Sequence, residues 1–187
     1  MTTEPNAEPS WVGPTHRALR DAEVSIVGYV PDAGLTHLIT RLDDDLSVRT
    51  VRLTTEQEGV ALATGAWLGG QRAALLMQSS GVGNCTNMLS LLNTCEIPAV
   101  LLVTMRGQSG ESNPWQRPMG QAAGRSLELM GVDVRSATST DEVAALVTRA
   151  CVDTFDGHGA ASAVLISQSV IGTKLFTGDA EQWDTDR

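Results

Sequence analysis

The chain has 187 residues, enough for one domain with a sizeable core and too few to assume two. Its net charge of −9, with one lysine (Lys174) against twelve arginines, leaves no basic footprint for a nucleic-acid backbone. Hydrophobic residues make up 42% and mean hydropathy is −0.04; no run approaches the ~20 apolar residues of a membrane span, so a soluble, cytoplasmic protein is expected.

In chain order, residues 1–19 read as a flexible leader. MTTEPNAEPS mixes acids and prolines and lacks the basic and apolar regions of a signal peptide. VSIVGYVP (24–31) reads as a strand ending in a Pro-Asp turn, and AGLTHLITRL (33–42) has helical spacing. SVRTVRLT (47–54) alternates as a strand does, and EQEGVALATGAWLGG (56–70) is a small-residue helix stopped by a glycine pair. AALLMQ (73–78) and PAVLLVTM (98–105) are continuous apolar runs, the mark of strands buried on both faces. Between them GNCTNMLSLLNTC (83–95) reads as a helix. Beyond them come a polar loop (106–118), a helix (119–131), a short strand (132–137), a helix opened by a capping signal (138–155) and a last strand (161–169). Residues 173–187 read as a polar tail.

Six strands alternating with five helices predict one α/β domain over 20–172, three-layered, with a six-stranded parallel sheet and helices on both faces. Ligands of such sheets bind outside the carboxyl ends of the strands, so the loops after the strands are where chemistry is sought. Cys85, Cys95 and Cys151 are widely spaced, which fits small core residues better than a metal site or disulfides.

The segment QSSGVGN (78–84) raises a nucleotide-binding question. A Walker loop requires a lysine that is absent, and GVGNCT lacks the third glycine of a dinucleotide fingerprint. A tight strand-to-helix turn is the simpler account, with glycine supplying positive φ. Glu56 is more informative. It heads a helix whose Gly59, Ala61, Ala63, Gly65 and Ala66 permit close packing, at a strand's carboxyl end, where it would be partly buried. Burial disfavours the charged form of a carboxylate and lets it share a proton with a ligand.

Glu56 with Ala61, Ala63 and Gly65, then MQSSGVGNCTN, then VLLVTMRG, resembles the pyrimidine-binding domain of thiamine-diphosphate enzymes. Within that superfamily the chain is most similar to sulfopyruvate decarboxylase alpha subunits and the N-terminal half of phosphonopyruvate decarboxylases. Val30-Pro31-Asp32 matches their VPD turn. Gln78 to Asn84, with Asn87, matches their QNSGxGNxxN loop, with Ser79 in place of asparagine, and Arg106-Gly107 followed by Pro114-Trp115-Gln116 matches their RG turn and Pro-Gln element.

The resemblance implies that Glu56 hydrogen-bonds N1′ of the aminopyrimidine and favours its imino tautomer, the form that takes the proton from thiazolium C2. It implies that Gln78, Ser79, Gly81 and Asn84 line the cofactor. Asp32, Arg106, Gln116 and Arg117 are the candidate substrate contacts, the arginines because forked donors suit a sulfonate or phosphonate. The chain lacks the GDG…N motif with which these enzymes hold diphosphate and Mg2+. The resemblance therefore implies a beta subunit that supplies both, and association of the alpha/beta units. No metal ligand is assigned to this chain. A carboligase subunit, or a subunit that kept the fold and lost the chemistry, remains open at this point.

Overall fold

A computed structural model describes residues 7–158 and 161–172, with only the backbone of His158; the expected tail, with Lys174 and Trp183, lies outside the described residues. The elements are α1 (Val12–Asp21), β1 (Val24–Tyr29), α2 (Thr36–Asp43), β2 (Arg49–Arg52), α3 (Glu56–Leu68), β3 (Arg72–Gln78), α4 (Ser79–Thr94), β4 (Val100–Thr104), α5 (Arg117–Leu129), β5 (Asp133–Ala137), α6 (Thr140–Val152), β6 (Ser162–Ile166) and α7 (Gln168–Ile171). All strand pairs are parallel, in the order β2-β1-β3-β4-β6-β5. The expected three-layer α/β domain is present. No helix among the described residues is long and apolar enough to cross a membrane.

Strands β3 and β4 fill the sheet centre because their apolar runs have no polar face to offer water; every residue of β4 is buried. One core joins α1, α2 and α6 to one side of the sheet through Leu19, Leu38, Leu42, Val143 and Val147. The other joins α3, α4 and α5 through Val60, Val82, Leu89, Ala123 and Leu127. The capping signal is realised at α6, where Ser139 and Glu142 satisfy each other's backbone donors.

Three expectations need correction. The leader expected over 1–19 is overtaken by α1, whose Trp11, Val12, Thr15, Ala18 and Leu19 recur at helical spacing and are buried. The prolines and acids precede this stripe and do not describe it. The helix expected from residue 83 starts at Ser79, so the GVGN segment is helical, and neither Gly81 nor Gly83 has positive φ. Finally, the last strand stops at Ile166, where Ser167 caps α7 through the amide of Ser169.

Candidate functional site

The strand order reverses direction between β1 and β3, which places a crevice at their carboxyl ends. Asp32 follows β1, Glu56 follows β2, Ser79 follows β3, and Arg106 follows β4. All four candidate positions therefore meet one edge of the sheet.

Glu56 is the first residue of α3 and is 7% exposed. Its Oε2 accepts a hydrogen bond from Asn84 Nδ2 at 2.9 Å. Its Oε1 lies against the first turn of α4: a Cβ on Gly81 would stand 2.3 Å from it. Glycine at 81 thus serves close approach of a carboxylate, not a turn conformation. Oε1 accepts from no donor among the described residues. Beside it, Cys85 is buried, and its thiol is pushed up to about 12, first by burial and then by the charge of Glu56. A thiol so placed stays protonated and is no nucleophile.

Gln78 is the N-cap of α4, half-buried and in extended backbone. Ser79 is fully buried, and its Oγ accepts from the Arg106 amide at 3.1 Å, tying the end of β3 to the end of β4. Asp32 Oδ2 accepts from the Gly34 amide at 3.0 Å and from the Thr104 hydroxyl at 2.9 Å. Asp32 therefore both forms its turn, as Asp after proline commonly does, and bridges to β4.

Arg106 differs from its expected role. Its Nε and Nη2 donate to Glu111 Oε2 and Oε1 at 2.9 and 3.2 Å, a forked pair buried in the loop after β4. Glu111 also accepts from the amides of Gly107 and Asn113 and from Gln168 Nε2. Arg106 and these bonds hold the Glu111 carboxyl down to about 2, well below its ordinary range. The guanidinium that was expected to meet a substrate anion is matched from within the chain. Gly107, at φ +74°, makes the turn: a Cβ there would stand 2.5 Å from the Gln116 carbonyl oxygen. Arg117 is exposed and donates through Nη2 to the Glu111 carbonyl oxygen at 3.3 Å. Gln116 Oε1 is buried without a hydrogen-bond partner among the described residues, and the neighbouring Trp115 is 74% exposed.

Glu111, Gln168 and Thr104 escaped the sequence reading. The signal for Glu111 was an acid five residues after an arginine in one polar loop. Gln168 had none, because its partners are 57 and 60 residues away.

No family model matches the chain. It is 37% identical over 133 residues to the sulfopyruvate decarboxylase subunit alpha of Methanococcus maripaludis, covering 71% of this chain and 80% of that one. The chain belongs to the family of sulfopyruvate decarboxylase alpha subunits. Members of this family from Methanocaldococcus jannaschii and Methanothermobacter thermautotrophicus are 32% and 35% identical, over 71% and 68% of this chain and 79% and 78% of theirs. The phosphonopyruvate decarboxylase of Streptomyces viridochromogenes is 43% identical over 59% of this chain, which spans 28% of that longer protein. In fold, this alpha-subunit relative resembles a 2-oxoglutarate:ferredoxin oxidoreductase from Magnetococcus marinus, with TM-score 0.65, 13% identity, and coverage of 91% of this chain and 33% of that one.

A buried carboxylate with one oxygen held and the other without a donor among the described residues fits a protonated ring nitrogen, which N1′ of thiamine diphosphate becomes in its imino tautomer. For a metal the fit is poor: among the described residues no group of three or more His, Cys, Asp or Glu side chains converges.

Proposed function

We propose that this chain is the alpha subunit of a two-chain, thiamine-diphosphate-dependent 2-oxo acid decarboxylase. Its substrate is sulfopyruvate or phosphonopyruvate, and its products are the corresponding aldehyde and CO2. The observation that carries the reading is Glu56, buried at the head of α3, steadied by Asn84 on one oxygen and open on the other. The relatives named for sulfopyruvate and phosphonopyruvate decarboxylation support the choice of substrate class.

When bound, thiamine diphosphate supplies the electron sink for loss of CO2. The chain's part is placement of protons and of the ring. Glu56 accepts a hydrogen bond from the pyrimidine, and Asn84 holds the carboxylate in the rotamer that allows it. Gly81 gives the carboxylate room, while Gln78 and Ser79 form the wall at the end of β3. Asp32 stands ready near the substrate as a proton-transfer group. Gln116 and Arg117 complete the substrate side from the loop after β4. A beta subunit carrying the diphosphate-binding domain holds Mg2+ and most of the diphosphate; the subunit-alpha names of the relatives support a partner chain. Alpha/beta units associate further.

The test is CO2 release from sulfopyruvate and phosphonopyruvate by the chain co-expressed with its beta partner, with thiamine diphosphate, Mg2+ and a Glu56→Gln control. Release that requires both chains and Glu56 is the expected result. A cofactor-loaded complex that releases no CO2 from either acid would redirect the reading to another 2-oxo acid or to carboligation.

A further inference from the structure

A small 2-oxo acid with a second anionic group needs a cation at the strand-end edge, and the chain as a whole, at −9, repels it. Two of the arginines at this edge already have contacts within the chain, Arg106 a forked ion pair with Glu111 and Arg117 a single bond to the Glu111 carbonyl oxygen. The third is Arg52. It is the last residue of β2 and sits in register with Tyr29, the last residue of β1. It is exposed and makes no ion pair or side-chain hydrogen bond among the described residues.

Arg52 lines a cavity of about 380 Å³ with Tyr29, Asp32, Thr36, Ile39 and Thr40. Its walls carry the Tyr29 phenol and the hydroxyls of Thr36 and Thr40; Thr36 already donates to the Asp32 carbonyl oxygen at 3.4 Å, which leaves Tyr29 and Thr40 to donate to an oxyanion. Asp32, the one acid in the lining, spends Oδ2 on the Gly34 amide and the Thr104 hydroxyl. Arg52 ends β2 and Tyr29 ends β1, so the groove opens at the carboxyl ends of the strands, the end of the sheet at which Glu56 also stands. A larger cavity, about 650 Å³, lies beside α1 and α2 and differs in this respect. There Arg41, the one arginine in the lining, pairs with Glu8, and Asp44 and Asp45 add acids to the same wall.

We propose that the groove at Arg52 binds the sulfonate or phosphonate end of the substrate, with Arg52 as its charge partner. Three oxyanion oxygens meet the guanidinium fork and the neighbouring hydroxyls, while the 2-oxo carboxylate end points along the carboxyl ends of the strands, away from the groove. This rests on the decarboxylase reading for its substrate, but the groove's affinity for the anion is measurable without turnover.

The test uses the cofactor-loaded alpha/beta complex as wild type, Arg52→Met and Arg52→Lys. Methanesulfonate and methylphosphonate binding is titrated calorimetrically, alongside turnover of sulfopyruvate, phosphonopyruvate and pyruvate. Loss of one charge-assisted contact predicts anion binding weakened by about tenfold in Arg52→Met, with partial recovery in Arg52→Lys. The preference in kcat/KM for the two substituted acids over pyruvate should fall by about the same factor. Anion binding that is equal in wild type and Arg52→Met, in a complex that releases CO2, would overturn the groove and leave the decarboxylase standing. Arg52-dependent anion binding without CO2 release from any acid would sustain the groove and sink the decarboxylase. A fall in turnover of all three acids by the same factor, with anion binding intact, would also overturn the proposal.

Discussion

Two buried glutamates stand at the same edge of the sheet and are treated oppositely. Glu111 accepts from Arg106 twice, from the amides of Gly107 and Asn113, and from Gln168, so both of its oxygens are saturated. Among the described residues, Glu56 accepts from Asn84 alone. A carboxylate whose capacity is used internally shapes a loop, whereas one with an open oxygen is available to a ligand. Burial alone does not separate the two, since Glu111 is 4% and Glu56 7% exposed. The count of donors does.

The contrast can be broken by exchanging each acid for its amide or removing it. Glu56→Gln should cost about 10²–10⁴-fold in CO2 release, the range of a lost acid–base group, with the urea midpoint little changed. Glu111→Ala should do the reverse in kind. It leaves Arg106 buried without its partner, at about 3 kcal/mol of stability, read as a lowered urea midpoint. Equal loss of stability in both variants would erase the distinction.

Acid titration sharpens it. The Glu111 carboxyl ordinarily titrates at 4.5 and is held to about 2 in the fold. Its contribution is therefore complete above about 4.5 and is lost as pH falls toward about 2, where the folded form takes up its proton. Wild type should lose stability across that window, and Glu111→Gln should show a shallower slope in urea midpoint against pH. Smaller effects come from the groups around Glu56. Gly81→Ala inserts a Cβ into the carboxylate's space and should cost about 1–3 kcal/mol while also depressing turnover. Asn84→Ala removes a single donor at an exposed position and should lower turnover by about tenfold or less, with little effect on stability.

How much of this was legible in the residues depended on range. AALLMQ and PAVLLVTM declare central strands because an unbroken apolar run cannot face water on either side. Glu56 was visible because a charged residue leads a helix of small ones. The start of α4 was hidden for the opposite reason. Glycines disfavour helix, and GVGN reads as a turn, yet contact with Glu56 fixes Gly81 inside the helix, so packing overrode propensity. Arg106 looked free because its partner lies in a loop with no period to read. The α1 stripe was present in the sequence but was masked by the prolines and acids that precede it.

The position of β6 has a consequence for synthesis. It is the last strand described, yet it lies between β4 and β5, and β5 has no other neighbour in the sheet. While the chain is being made, β5 leaves the ribosome with no strand to pair with, and the apolar edge of β4 stays open until Ser162–Ile166 emerges. Closure of this half of the domain is therefore a late, long-range event, the kind that exposes strand edges to other chains. Slowing translation just upstream of residue 162 would prolong the one stage at which this nascent chain can be captured by a chaperone or by another copy of itself.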